Sequence, residues 1–237
     1  MNYREFCTQL QSALGLTHTP IGIAFLQTPP KDVSHAAKVV PSACTFWRQA
    51  EQEVFYATAE DHLNCPIGAL TMGFSLPEAA MNRLTGLVQQ MCDIEYLHPD
   101  EAERIPTVKK PHQVAVYGPL GKLPCEPDVV LLICTPFQAM LLAEATAGAC
   151  WTESPGTTAF GRPACAAIPQ ALQHESTTLS LGCMGARTYA DLQPDEIVMV
   201  IPRNEIDSTA QRLHKVLASN NHMKAYYQSQ KANFTPS

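Results

Sequence analysis

The chain has 237 residues, of which 46% are hydrophobic and 16% charged, and its formal net charge is −6. This length is enough to bury a core without disulfides, so we expect a single domain over residues 1–237, with possible halves 1–108 and 109–237 packed as one unit. The negative charge and the scattered basic residues argue against nucleic acid or an anionic membrane surface as the main partner.

The first half of the chain alternates helical and extended patterns. Apolar spacing and turn residues predict helices over 2–14, 43–53 and 76–91, a helix that begins at Pro66, and extended segments over 21–26 and 54–58. Proline directly after Cys65 favours a helix start there, because proline suits the first helical position.

The second half continues the alternation. The patterns predict strands over 113–120, 127–134, 177–182 and 196–202, an extended segment over 157–160, and helices over 137–149, 162–172 and 204–219. The last dozen residues are expected to fray. Because helices and strands intermingle throughout, we expect a mixed α/β (α+β) fold in which a sheet carries flanking helices, and we expect a homo-oligomer.

The compartment follows from what the sequence lacks. There is no stretch of about 18 uninterrupted apolar residues, and the first residues are too polar for a secretory signal, so we expect a cytoplasmic protein without a membrane span. In the cytoplasm, the nine cysteines are thiols, ligands or redox groups and not a disulfide framework.

Four cysteines have surroundings that favour a thiolate. Cys44, Cys65 and Cys165 stand at expected helix starts, where free N–H groups and the helix dipole stabilise negative charge, and Cys183 lies between glycines in "LGCMGAR". The spacing from Cys44 to Cys65 resembles that from Cys165 to Cys183, which is compatible with a remote duplication, although the residues between them do not align. The absence of Cys-x-x-Cys argues against a zinc ribbon, a thioredoxin-like dithiol and a ferredoxin-like run.

Several longer motifs carry a family resemblance. They are "TPIGIAFL" near the start, "CTFWRQA" at 44–50, "NCPIGALTMGF" at 64–74, "PDVVLLICTPFQAMLLAEA" at 127–145, "RPACAAIPQAL" at 162–172, "SLGCMGAR" at 180–187 and "DEIVMVIP" at 195–202. In these motifs the chain resembles the family known as domain of unknown function 169 over most of its length. The resemblance implies that Cys44, Cys65, Cys165 and Cys183 are recurrent cysteines and that Arg187 is a recurrent arginine, but it implies no activity.

Three hypotheses follow. In the first, Cys44, Cys65, Cys165 and Cys183 ligate an iron–sulfur cluster of the [4Fe-4S] type, Arg187 balances the cluster charge, and a redox partner or small molecule is the partner. In the second, a metal-free thiol enzyme or sulfur carrier uses Cys65 as nucleophile, activated by His62 or an arginine. In the third, the cysteines line the pocket of a module that binds a small ligand or tetrapyrrole.

Overall fold

The computed structural model describes residues 2–148 and 158–234, and their centre is one eight-stranded mixed sheet. The strands are β1 (Ile21–Leu26), β2 (Ser34–His35), β3 (Phe55–Ala57), β4 (Val114–Pro119), β5 (Val129–Cys134), β6 (Thr158–Phe160), β7 (Thr178–Ser180) and β8 (Ile197–Pro202). The helices in these ranges are α1 (Tyr3–Leu14), α2 (Thr45–Ala50), α3 (Ala59–His62), α4 (Pro66–Thr71), α5 (Glu78–Asp93), α6 (Pro99–Ala102), α7 (Pro136–Ala147), α8 (Ala167–His174), α9 (Met184–Tyr189) and α10 (Arg203–Asn233). The expected class, a mixed α/β sheet with flanking helices, is confirmed.

The strand order reveals two matching halves of the sheet. The order is β2-β3-β4-β1-β5-β8-β7-β6, so the first four strands in the chain form one side and the last four form the other. Each side has a parallel outer pair (β2 with β3, β6 with β7), and every other pairing is antiparallel, including the central β1–β5 pair. The sheet therefore divides between β1 and β5, and the chain divides between β4 and β5, somewhat later in the sequence than the expected boundary at residues 108 and 109, which remains a prediction about domains.

The register is the same in both halves. Ile21 faces Pro119 where β1 meets β4, and Val129 faces Pro202 at the equivalent position where β5 meets β8. The correspondence continues outward: the three pairs between β3 and β4 match the three pairs between β7 and β8. This agreement of order, direction and register supports an internal duplication, the possibility that the cysteine spacing had suggested.

Local chemistry explains where the longer elements begin and end. Asn2 caps α1 by accepting from the N–H groups of Arg4 and Glu5, and Gly15 ends that helix in the left-handed conformation. Thr135 and Gln138 form a capping box at the start of α7, with Pro136 at the first helical position.

The two faces of the sheet carry separate cores. Alternate residues of the central strands, such as Ile23 and Leu131, point to one face and pack against α2, α8 and α9. The intervening residues of β5 and β8, such as Leu132 and Met199, point to the other face and pack against α1, α7 and α10. The face under α2, α8 and α9 positions the site described below.

The chain departs from expectation mainly in short or exposed elements. The expected strand over 177–182 ends at Ser180, because α9 begins at Met184 where a loop was expected. The expected fraying after residue 225 is wrong, because α10 continues to Asn233, and beyond Asn220 every described residue is exposed. Parts of the expected segments 137–149 and 157–160 lie outside the described residues. No helix within 2–148 and 158–234 is long and apolar enough to cross a membrane.

Candidate functional site

A cavity of about 790 Å³ opens on the sheet face that α2, α8 and α9 cover, and all four predicted cysteines lie on its wall. A volume of this size falls within the range of about 300–1,000 Å³ that is usual for small-molecule and cofactor sites. The structure thus brings Cys44, Cys65, Cys165 and Cys183 together from segments that are distant in the sequence.

Each thiol stands at the beginning of a helical segment. Cys44, Cys65 and Cys183 are the residues that immediately precede α2, α4 and α9, and Cys165 lies in the single turn of 3₁₀ helix, Ala164–Ala166, that leads into α8. The Ala186 N–H donates to Sγ of Cys183 over 3.4 Å. The first turns of helices have N–H groups without helical partners, so these positions offer donors to sulfur.

The duplication pairs the cysteines. Cys44 lies between β2 and β3, and Cys165 lies between the equivalent strands β6 and β7. Cys65 lies between β3 and β4, and Cys183 lies between the equivalent strands β7 and β8. The paired segments share the pattern Ala-Cys-x-x-x-x-Gln-Ala, at 43–50 and at 164–171. This short internal match was present in the sequence and would have supported the duplication before the fold was known.

Burial separates an inner pair from an outer pair. Cys44 and Cys165 are 7% and 9% exposed, whereas Cys65 and Cys183 are half-buried. Burial raises the pKa of the Cys44 thiol to about 11, against the opposing effect of the Ser42 hydroxyl, whose Oγ lies 3.2 Å from Sγ. We therefore expect the inner pair to be neutral thiols in the metal-free protein.

The four sulfur atoms are close enough to influence one another electrostatically. The pKa of Cys165 is raised well above its ordinary value, first by burial and then by the proximity of Cys65, Cys183 and Cys44. Cys65 and Cys183 act in the same direction on the pKa of Cys44. Negative charge on one thiol thus disfavours charge on the others, unless a cation between them compensates it.

Of the two glycines beside the thiols, Gly68 is the one that a close approach of the chain requires. A Cβ atom at Gly68 would lie 2.7 Å from the Cβ of Ala43 and 3.0 Å from Sγ of Cys65. A Cβ at Gly185 would lie 3.7 Å from Sγ of Cys183. Gly68 in particular keeps the Cys65 turn in contact with the segment that carries Cys44.

Hydrogen bonds connect the segments that carry the cysteines. The Asn64 amide donates to the Val40 carbonyl over 2.9 Å, and the Thr45 hydroxyl donates to the Tyr189 carbonyl over 3.1 Å. The Arg48 guanidinium adds a third connection to the end of α9, with 3.0 Å between Nη2 and the Asp191 carbonyl. Contacts of α2 therefore hold the Cys44 and Cys183 segments in fixed relation.

Arg187 has a different position from the cysteines. Its guanidinium donates to the main-chain carbonyls of Leu181, Leu192 and Gln193, and it does not line the cavity. These contacts fix the loop that holds Cys183. A role in binding a cofactor remains a prediction for this residue.

His62 is engaged on both ring nitrogens. Nδ1 lies 2.6 Å from the Thr58 carbonyl, and Nε2 lies 3.0 Å from the hydroxyl of Tyr117. The ring is fully buried, and burial lowers its pKa to about 4. His62 consequently has no free nitrogen with which to activate Cys65, and the expected His–Cys pair is not formed.

Other cysteines lie away from the cavity. Cys7 and Cys134 belong to the core on the opposite face of the sheet, and Cys92 and Cys125 are half-buried and do not line the cavity wall. Cys150 lies outside the described residues. In the described part of the chain, no three His, Cys, Asp or Glu side chains are arranged to hold one metal ion.

A second part of the cavity wall, called the α5–α6 wall below, was not predicted from the sequence. It comes from the long connection between β3 and β4, and its lining residues include Leu87, Met91, Tyr96, Leu97 and Arg104. From the other half, Arg162 places its guanidinium carbon 3.9 Å from the ring centroid of Tyr96. No sequence motif marks these residues, because their relation to the cavity depends on how α5 and α6 pack.

The fold and the cavity together define a mixed α/β protein, built from two matching halves, with four cysteines around one cavity. The family model described as Uncharacterised ArCR, domain of unknown function 169, matches residues 9–212, and the chain belongs to that family. The chain is also similar to the uncharacterized protein MJ0308 of Methanocaldococcus jannaschii, with 29% identity over 163 residues, 66% of this chain and 68% of that protein. No solved structure matches the chain. The family resemblance seen in the motifs is therefore confirmed.

Proposed function

We propose that this chain is an iron–sulfur protein in which Cys44, Cys65, Cys165 and Cys183 bind a [4Fe-4S] cluster. The supporting observation is that four separate connections each bring one thiol to the same cavity. One thiolate for each of four irons is the usual protein ligand set of such a cluster.

A cluster can use thiols that stand further apart than the ligands of a single ion. A tetrahedral zinc ion with Zn–S bonds of about 2.3 Å draws its sulfur ligands to about 3.8 Å from one another. The described cysteines are not grouped to hold one ion, yet they are close enough to shift one another's pKa. Thiolates that bind different irons of one cluster stand further apart than the ligands of one ion.

The chain's own residues supply what such a site needs. The inner thiols, Cys44 and Cys165, are shielded from water, and the N–H groups at the helix starts give donors to sulfur. Arg187 positions the Cys183 loop and adds a positive charge near a negatively charged cluster and its ligands. When bound, the cluster would supply one-electron transfer or, with one iron free of protein ligand, Lewis-acid chemistry.

The proposal extends to the surroundings of the protein. Free thiols on half-buried positions suit the reducing cytoplasm, which we propose as the compartment. We also propose a redox partner or a small-molecule ligand, and association of the chain with further copies of itself.

Iron and acid-labile sulfide, measured on protein purified without oxygen, test the assignment. We expect about four of each per chain. Cys65→Ala and Cys183→Ala should lose most of the iron, and Cys7→Ala, which alters a buried thiol on the other sheet face, should keep it. Equal iron in the three variants and the parent would exclude the four-cysteine assignment.

A metal-free thiol chemistry is the second candidate, because Cys65 is half-buried and stands at the start of α4. With His62 engaged elsewhere, an arginine of the cavity would be its cationic neighbour. Protein that holds no iron or sulfide after anaerobic reconstitution, and in which iodoacetamide modifies Cys65 faster than free cysteine, would favour this candidate.

A further inference from the structure

The cavity is larger than the four cysteines and a cluster need. Eight cluster atoms, taken at about 30 Å³ each as for a water molecule, occupy about 240 Å³. More than half of the 790 Å³ cavity is then left for something else. Residues 87–106 of the α5–α6 wall also contribute to the lining of this cavity, and none of the four cysteines lies among them.

That wall belongs to only one half of the duplication. The connection from β3 to β4 spans residues 58–113 and contains α3 to α6, whereas the equivalent connection from β7 to β8 spans 181–196 and contains only α9. The longer connection of the first half thus adds lining residues between Leu87 and Pro106 to the cavity, and the short connection of the second half has no counterpart of them. An insertion that adds a wall to a duplicated site points to a ligand that the symmetrical part does not bind.

The side chains of the insertion are of two kinds. Leu87, Met91, Leu97 and Ile105 present a half-buried apolar surface to the cavity. Arg104 lines the same cavity and is exposed, and within residues 2–148 and 158–234 no side chain or carbonyl pairs with its guanidinium. An apolar surface next to an unpaired cation is the surface that an amphipathic anion would recognise.

A second guanidinium approaches from the other half of the molecule. Arg162 is stacked on the ring of Tyr96, and both residues line the cavity. Stacking fixes the plane of a guanidinium, so its N–H edge is presented in a defined direction. Glu101 is the one acidic residue among the described lining residues, so the two arginines leave the cavity lining with a net positive charge.

From these contacts we infer that the α5–α6 wall binds an amphipathic organic acid, with its apolar body on Leu87, Met91, Leu97 and Ile105 and its carboxylate at Arg104 and Arg162. The inference rests on the proposed function, because it places this acid beside the cysteine-bound cluster. The acid would be a substrate or an effector of that site.

Binding of a fluorescent aromatic sulfonate, 8-anilinonaphthalene-1-sulfonate, to the anaerobically purified full chain tests the inference. We expect octanoate to displace the probe and octanol to displace it much less, because only octanoate carries the anionic group. Arg104→Ala and Leu97→Asn should each weaken probe binding, Arg104→Ala by about tenfold or more. Arg4→Ala is the matched control, since Arg4 lies on α1 at the opposite face of the sheet.

The results separate this inference from the proposed function. Iron measured on the same samples should be unchanged in Arg104→Ala, so a loss of probe binding there concerns the acid alone. Absence of iron together with Arg104-dependent binding would overturn the cluster and retain the acid site. Equal displacement by octanoate and octanol, no binding, or binding that is lost in Tyr227→Ala, in the separate cavity lined by α1, α7 and α10, would overturn the acid site.

Discussion

Gly22 of β1 stands directly opposite Val130 of β5 at the centre of the sheet. The pairing on either side is symmetrical about them, since Ile21 faces Leu131 and Ile23 faces Val129. A two-fold axis perpendicular to the sheet at this pair would exchange the two halves without exchanging the faces. The cysteine segments of both halves consequently open onto one face, which is why four distant thiols share one cavity.

The burial of the inner cysteine pair predicts the order in which the thiols react in metal-free protein. Cys65 and Cys183 should be alkylated by iodoacetamide at pH 8 well before Cys44 and Cys165, because the inner pair is buried and its pKa values are raised. Peptide mass spectrometry over a time course measures this order. Half-buried Cys92, away from the cavity, is an internal reference.

Protein loaded with iron should differ from metal-free protein in the alkylation rates of the cavity cysteines. All four cavity cysteines should then be protected, while Cys92 should react at an unchanged rate. Protection of Cys92 together with the other four would indicate a general tightening of the fold and not ligation.

Gly68→Ala should lower the iron content while the protein remains folded. The added Cβ would lie 2.7 Å from the Cβ of Ala43 and 3.0 Å from Sγ of Cys65, so the two cysteine segments must move apart. Iron content and circular dichroism measure the two effects. Gly86→Ala, in the middle of α5 with no atom within 4 Å of the added Cβ, is the matched control.

The control variant has its own expected value. Gly86→Ala should keep its iron and raise the free energy of unfolding by about 0.5–1 kcal/mol, because alanine is the better helix residue. An equal loss of iron in both variants would show that the site tolerates no change in this region. It would contradict the specific role of Gly68 in keeping the Cys44 and Cys65 segments in contact.

The buried imidazole of His62 should lower the free energy of unfolding in mild acid. Its pKa is lowered from 6.5 to about 4 in the folded protein, so the unfolded chain takes up the proton first as the pH falls. The contribution to stability is therefore complete above about pH 6.5 and is lost between about pH 6.5 and 4, with a total of about 3 kcal/mol. Urea unfolding of metal-free protein at several pH values measures it.

A variant isolates the His62 contribution from other groups. His62→Gln has no proton to gain in this range, so its free energy of unfolding should fall less steeply than that of the parent between pH 6.5 and 4. Parallel curves for the two proteins would assign the acid sensitivity to other side chains.

Arg48→Ala should destabilise the protein by about 2–3 kcal/mol. The change removes charged hydrogen bonds to the end of α9 and takes the guanidinium away from Glu51 and Glu196, whose side chains are each 10% exposed and keep the His18 ring as a partner. Arg83, which donates to the Leu63 carbonyl on an exposed surface, provides the comparison, and Arg83→Ala should cost less than about 1 kcal/mol. Equal losses in urea unfolding would contradict the role of Arg48 as a tie between α2 and α9.

Continuous apolar runs made the central strands predictable. The expected strands over 21–26, 113–120, 127–134 and 196–202 agree with β1, β4, β5 and β8 to within two residues. The edge strand β2 has two exposed residues and no apolar pattern, and the polar second half of α10 has no buried face, so neither could be recognised.

The site was predictable as a set of residues but not as a place. The surroundings of each cysteine and the family motifs selected Cys44, Cys65, Cys165 and Cys183. That they line one cavity depends on strand order and on which face each connection takes, and no local pattern records either. The apolar residues of the α5–α6 wall look like ordinary core residues in the sequence, and only the packing of that insertion relates them to the cavity.

The division of the sheet at its centre has a consequence for the lifetime of the protein. Two cavity cysteines come from each half, and about a hundred residues separate Cys65 from Cys165. One occupant that binds all four would therefore cross-link the two halves and stabilise the folded chain. Loss of that occupant in oxidising conditions would remove this cross-link and expose the cysteine-bearing connections between the strands to proteases. Limited trypsin digestion should then be faster for metal-free protein than for loaded protein. Turnover of the chain would in that case follow the state of its cofactor.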